Sequence, residues 1–270
     1  RREDHSWGSH HLRRSRRRAI TADRTPWRGP VFWAGHAIDR RMRTTRLADL
    51  NVRISGGTDR DGGGTGPVVV LLHGYGAPGD DLVPLQRVLA VPRDVRFVFP
   101  EAPLAPDELR PFGGRAWWPI DIFALQQAVA QGRERERIHN TPEGLAAART
   151  QFTAFLDALQ RELNVSSDRI ILGGFSQGSM LAMDFALRDS RPLAGLVLLS
   201  TTPLCVDEWQ PLLAARKGLP VLQSHGAHDT LLVHALAEEQ RDMLRAAGLA
   251  VTWISFPGGH ELPSNVLEAL

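Results

Sequence analysis

The stretch from Ile170 to Gly178, Ile-Ile-Leu-Gly-Gly-Phe-Ser-Gln-Gly, constrains this chain more than any other. Ile170, Ile171 and Leu172 form a short β-branched and apolar run of the kind that fills a buried strand. Residues 177–188 carry helical spacing. Between them stands Gly174-Phe175-Ser176-Gln177-Gly178. A Gly-x-Ser-x-Gly run between strand and helix forces a tight turn. The glycines two residues either side of Ser176 clear space where strand and helix come close. The serine Oγ then projects beyond the strand end, next to a helix whose N-terminus favours negative charge. The bare five-residue pattern is common, and its flanks make it specific.

The remaining pattern agrees with an open sheet. Apolar runs at Leu50–Ile54, Val68–Leu72, Arg96–Phe99, Ile170–Leu172, Leu196–Leu199, Val221–Leu222 and Val251–Ile254 read as strands. Helical stretches separate most of them, notably 142–163, 177–188 and 233–247. Strands apolar throughout that alternate with helices imply an α/β, mostly parallel central sheet with helices on both faces. Thr141 is the expected N-cap of the helix over 142–163, with Pro142 at its first position. Loop 102–141, rich in Pro, Gly and charge, is expected to form a lid or rim. Within it, the alternating Arg and Glu of 133–137 read as a solvated surface.

Charge divides the chain in two. Residues 1–46 hold thirteen arginines against four acidic residues, so the net charge of +2 conceals an acidic remainder. We expect 1–41 to be a basic N-terminal extension, disordered or foreign to the native protein, and 42–270 to be the catalytic domain. Met42 is the first methionine and the expected natural start. A nucleic-acid or anionic-membrane arm is the functional alternative for the basic segment. For the core domain no nucleic-acid partner is expected. Ser15-Arg16-Arg17-Arg18 lacks the apolar core that an export signal needs. No apolar run is long enough for a membrane span. Cys205 is the only cysteine, which fits a cytoplasmic location. The chain ends at Leu270 within an expected helix, from which a few further residues are expected to follow.

A serine hydroxyl needs a base, and the base needs an orienting group. In the fold that carries this elbow, the acid and then the histidine follow the serine in chain order. Asp229 lies just past the Val221 strand and His260 just past the Val251 strand, on the side where open α/β sheets place their sites. The expected catalytic set is therefore Ser176, Asp229 and His260. Asp207 is a weaker candidate for the acid. His225 and His228, flanking Asp229, come too early in the chain for the base and are expected to be structural or exposed. Leu72-His73-Gly74-Tyr75-Gly76 follows a strand end as well. The backbone N–H groups of Tyr75 and Gln177 are the expected oxyanion donors, with His73 a hydrogen-bonding element of its loop.

These segments resemble the phospholipase/carboxylesterase family of α/β-hydrolases, which includes bacterial carboxylesterases and acyl-protein thioesterases. The resemblance rests on Leu72–Gly76 with Asp80-Asp81-Leu82, on Leu172–Met180, on His225–Asp229 and on Gly258-Gly259-His260. Trp117-Trp118-Pro119-Ile120-Asp121 is similar to a tryptophan-bearing stretch beside that family's acyl pocket, with Pro119 as a departure. The resemblance implies the α/β-hydrolase fold and hydrolysis of a small-molecule ester without metal or organic cofactor. It also implies substrate contact by Trp117 and Trp118. Short- to medium-chain carboxylic esters are the expected substrates. Thioesters and lysophospholipids are the alternatives on the same residues, and a non-catalytic hydrolase-fold binding protein is the alternative of another class. A monomer or homodimer is expected.

Overall fold

The computed structural model describes residues 42–270. The expected basic extension over 1–41 lies outside the described residues. Eight strands form one sheet: β1 (Arg43–Leu47), β2 (Leu50–Gly56), β3 (Val68–Leu72), β4 (Arg96–Pro100), β5 (Ile170–Phe175), β6 (Gly195–Leu199), β7 (Pro220–Gly226) and β8 (Ala250–Phe256). Their spatial order is β1-β2-β4-β3-β5-β6-β7-β8. The β1–β2 and β2–β4 pairs are antiparallel and the others parallel.

The helices are α1 (Leu85–Val88), α2 (Ile122–Ala130), α3 (Glu134–Arg137), α4 (Leu145–Leu163), α5 (Gln177–Arg188), α6 (Val206–Trp209), α7 (His234–Ala246) and α8 (Ser264–Ala269). Alternate strand residues feed two separate cores, as the two-residue period of a strand requires. Val68, Val70 and Leu72 of β3 join Leu172 and Leu198 on one face, under Phe152, Phe155 and Leu159 of α4 and Met183 and Phe185 of α5. Leu71, Phe97, Phe99, Val197 and Leu199 point to the other face, against Leu85 of α1 and Val266 of α8. The expected mostly parallel sheet, covered on both sides, is the observed one.

Arg96 opens β4 and is only 1% exposed. Among the described residues no carboxylate pairs with its guanidinium; Nε and Nη2 donate to Gly66 O at 3.0 and 2.7 Å, and Nη1 donates to Leu163 O at 2.7 Å. A buried charge needs such donors satisfied, and here they stitch the start of β3 and the end of α4 to β4.

Two local expectations are corrected. Strand β1 was not anticipated, because Arg-Thr-Thr-Arg-Leu is half polar; it forms as the outer arm of an antiparallel hairpin with only Leu47 buried. The long helix starts at Leu145 rather than at Pro142. Gly144 precedes it with φ 85°, a left-handed conformation that interrupts the helix, and Thr141 spends its hydroxyl on the Glu208 carboxylate instead of on a cap.

Phe152 is fully buried, with Phe155 at 5.5 Å and Phe185 edge-on at 5.0 Å between ring centroids. Phe152→Ala should cost about 3–5 kcal/mol of stability by cavity formation, read from the shift of the urea midpoint.

Candidate active site

Ser176 stands between β5 and α5 with φ 53° and ψ −119°, a backbone conformation a serine rarely adopts. Its neighbours hold it there. Ser176 N donates to Leu199 O of β6 at 2.9 Å, and Ser176 O accepts from Met180 N at 3.1 Å. A Cβ on Gly174 would sit 2.4 Å from Leu72 O, and one on Gly178 only 2.1 Å from the same oxygen. Both positions must be glycine for β3 to lie this close to the elbow. One residue beyond that contact, His73 begins the loop that carries Gly74 and Tyr75. A Cβ on Gly74 would be 3.4 Å from Ser176 Cβ, so this loop lies directly against the serine.

The loop is fixed from behind. His73 is 2% exposed; its Nδ1–H donates to Gly74 O at 2.8 Å and its Nε2 accepts from Ala102 N at 2.9 Å. Burial pushes its pKa down to about 4, against the smaller pull of the Gly74 hydrogen bond and of Glu101, so the ring is neutral at pH 7. The Trp117 indole N–H donates to His73 O at 2.9 Å. The sequence had assigned His73 this loop role.

Asp229 and His260, 31 residues apart in the chain, meet at 2.6 Å between Oδ2 and Nδ1. Asp229 follows β7 and His260 follows β8, and the two strand ends are neighbours through Gly226 and Phe256. The other carboxylate oxygen, Oδ1, accepts the backbone N–H groups of Leu231 and Leu232 at 2.9 Å each. Burial alone would raise the Asp229 pKa. Hydrogen bonds from His225 and His260, the charge on His260 and the Leu232 N–H outweigh it and hold the carboxyl far below the usual range. The His260 ring rests on Phe175, the residue before Ser176, at 4.7 Å between centroids.

Ser176 and His260 open into one cavity of about 310 Å³, also lined by Tyr75, Gln177, Trp118 and apolar side chains such as Leu125, Met180 and Leu236. Gln177 is the first residue of α5, where helix geometry leaves a backbone N–H without an intrahelical acceptor. Its side chain has a role that sequence reasoning missed. Gln177 Oε1 accepts from Trp117 N at 2.9 Å and Nε2 donates to Trp118 O at 2.8 Å, which ties the tryptophan segment to the elbow. An amide next to the serine was the available signal.

The two tryptophans part company. Trp118 lines the cavity, whereas Trp117 stands behind it and braces His73. Asp207, the weaker acid candidate, sits on α6 at the surface with His139 Nδ1 at 3.1 Å, away from the cavity. His228 is exposed, as expected of a structural or surface residue. His225 is not: it is fully buried, and its Nε2 lies 3.3 Å from Asp229 Oδ2. Segment 102–141 forms a helical rim, with Ile122, Leu125 and Val129 of α2 as wall. Residues 133–137 are the largely solvated surface expected, with Arg133, Arg135 and Glu136 exposed, while the helical spacing of α3 sets the half-buried Glu134 and Arg137 at the edge of the cavity. Among the described residues, no group of three His, Cys, Asp or Glu side chains could hold a metal ion, and no helix is long and apolar enough to cross a membrane.

A serine on a strained strand-to-helix turn, sharing a cavity with a histidine braced by a buried carboxylate at the strand ends of a mostly parallel sheet, defines an α/β-hydrolase. The model of the phospholipase/carboxylesterase family matches residues 62–270, and the chain belongs to that family. It is similar to acyl-protein thioesterase 1 of Neurospora crassa, with 29% identity over 75% of this chain and 83% of the relative. Among solved structures it is similar to esterase PE8, with TM-score 0.64 and 27% identity over 79% of this chain and 94% of the other. The Bacillus cereus carboxylesterase shares the fold, with TM-score 0.59 and 21% identity over 82% of this chain and 91% of the other.

The neutral, buried His73 gives a pH test. Its folded pKa lies below the unfolded value of 6.5, so the unfolded chain takes up the proton first on acidification. The stability it contributes is complete above pH 6.5 and is lost as pH falls towards about 4. His73→Gln should flatten that fall by about 3 kcal/mol between those limits, measured as urea unfolding free energy at each pH.

Proposed function

We propose that residues 42–270 form a serine carboxylesterase domain that hydrolyses short- to medium-chain carboxylic esters through an acyl-enzyme. The observation that carries this reading is the 2.6 Å Asp229–His260 contact at the rim of the cavity into which Ser176 opens. In the proposed reaction, His260 Nε2 takes the Ser176 proton as Oγ attacks the ester carbonyl. The carbonyl oxygen, now negative, is held by the backbone N–H groups of Tyr75 and Gln177. His260 returns the proton to the leaving alcohol. Water then attacks the acyl-serine, His260 accepts its proton, and Ser176 regains a proton as the acid departs. Asp229 keeps the imidazole in the tautomer with Nδ1–H and stabilises the imidazolium formed in each step.

The cavity volume, at the small end of ligand sites, supports short or medium acyl groups. Its wall of Leu125, Val129, Met180, Leu204 and Leu236 suits an acyl chain. Thioester hydrolysis is the second reading. It is favoured by the name acyl-protein thioesterase borne by the Neurospora crassa relative, and it needs the same groups. The buried free Cys205 fits the cytoplasmic site of action that we propose.

Ser176→Ala should lower kcat by about 10⁴-fold or more and abolish labelling by an organophosphate probe. Retention of either would exclude Ser176 as nucleophile. A series of nitrophenyl esters should peak at short or medium acyl length, and oxygen ester against thioester rates at matched acyl length decide between the two readings.

A further inference from the structure

His225, expected to be structural or exposed, is one of the best-buried polar side chains beside the site. It lies on β7, four residues before Asp229, and neither side chain has any solvent exposure. Its Nε2 lies 2.8 Å from Leu232 O and 3.3 Å from Asp229 Oδ2. Both neighbours are acceptors, so the ring proton sits on Nε2. Its Nδ1 is buried and has no hydrogen-bond partner in the protein, so a second ring proton would have no acceptor. The ring is therefore the neutral Nε2–H tautomer, fixed by its surroundings.

We propose that His225 is a positioning residue that donates to Asp229 Oδ2 in competition with His260 and so sets how strongly the carboxylate holds the imidazolium. This inference rests on the triad reading above. Asp229 Oδ1 accepts from Leu231 N and Leu232 N and Oδ2 accepts from His260, while the His225 Nε2–H, whose shorter bond goes to Leu232 O, lies 3.3 Å from Oδ2 as a longer, secondary contact. Together these neighbours fill the acceptor capacity of an ionised carboxylate. It can stay ionised while fully buried, and its orientation is over-determined. Sharing Oδ2 with a neutral donor also draws charge density from the His260 contact. The imidazolium is then stabilised less than it would be beside an unshared carboxylate.

Other ionisable groups face this contact, and His234 touches the His225 ring edge-on at 6.0 Å between centroids. On α7 these are His234, whose Nδ1 lies 3.6 Å from Glu238, and Arg241, which pairs with Glu238 at 3.1 Å. On the loops after β7 and β8 they are His228 and Glu261. Across the cavity they are Asp81, Asp121, Glu134, Arg137 and Glu143.

The test is the pH profile of kcat/KM for a nitrophenyl ester in the full chain, compared among wild type, His225→Leu, His225→Asn and His225→Gln. Leucine removes the donor, and asparagine carries an amide too short to reach Oδ2 from β7. Glutamine can place an N–H near the position of Nε2. The acid limb should move to higher pH in His225→Leu and His225→Asn and return towards wild type in His225→Gln. At a pH below the wild-type midpoint the first two should lose roughly tenfold in kcat with KM little changed. The downfield proton resonance of His260 Nδ1–H should move further downfield in the same two variants. If His225→Leu fails to fold, His225→Asn carries the same expectation. An acid limb at the same pH in all folded variants overturns the inference, even where activity falls. Turnover that survives in Ser176→Ala, run in parallel, would instead sink the triad reading beneath it.

Discussion

Everything at this site hangs on how closely β3 lies against the elbow. The Leu72 carbonyl packs where side chains on Gly174 and Gly178 would otherwise stand. Any larger residue at either position would push the β3 end away, and with it Gly74 and Tyr75. That contact brings the loop after β3 beside Ser176 and the first turn of α5. The oxyanion donors proposed above are backbone groups, so their direction would follow from loop and helix geometry and cost no side-chain ordering.

Stiffness around this contact comes from polar groups buried behind it. Ser179 Oγ accepts from Leu199 N at 2.9 Å, tying the first turn of α5 to the end of β6. Gln177 joins the same turn to the backbone at Trp117 and Trp118, and Trp117 joins back to His73. Deeper in α5, Asp184 is fully buried and receives Arg149 Nε at 2.6 Å, Arg188 Nε at 2.9 Å and Trp209 Nε1 at 2.9 Å. A buried carboxylate is tolerable only when so satisfied. The helix that presents Ser176 is thus anchored to α4 and α6 as well as to the sheet.

The meeting of Asp229 and His260 depends on different physics. Asp229 and His260 sit on loops after neighbouring strands, and the register that sets Gly226 opposite Phe256 decides whether those loops meet. The loops are further joined by backbone bonds from Ala227 N to Phe256 O at 2.8 Å and from His228 N to Gly258 O at 2.9 Å. A one-residue slip of β8 would turn its side chains to the opposite face and separate the pair.

Much of this was legible in the chain itself. Runs such as Val68–Leu72 and Leu196–Leu199 can hardly be anything but strands buried on both faces. The Gly-x-Ser-x-Gly turn between Ile170–Leu172 and a helix leaves little freedom for Ser176, and chain order pointed to Asp229 and His260. Local information failed where side-chain competition or non-local pairing decided the outcome. Arg43–Leu47 is a strand only because β2 pairs with it. Thr141 has the right chemistry for a cap, but Glu208 of α6, distant in the chain, takes its hydroxyl. Trp117 and Trp118 are adjacent and identical in kind, and only the fold puts one at the cavity and the other behind it. Whether His225 was structural or exposed stayed open, because its spacing to Asp229 says nothing about burial. Periodicity and backbone sterics were enough to read seven of the eight strands, the elbow and the chain order of Ser176, Asp229 and His260. The tertiary structure alone decided which neighbours share the Asp229 carboxylate and how large a cavity Ser176 faces. Those depend on distances between segments far apart in the chain, which no local pattern encodes.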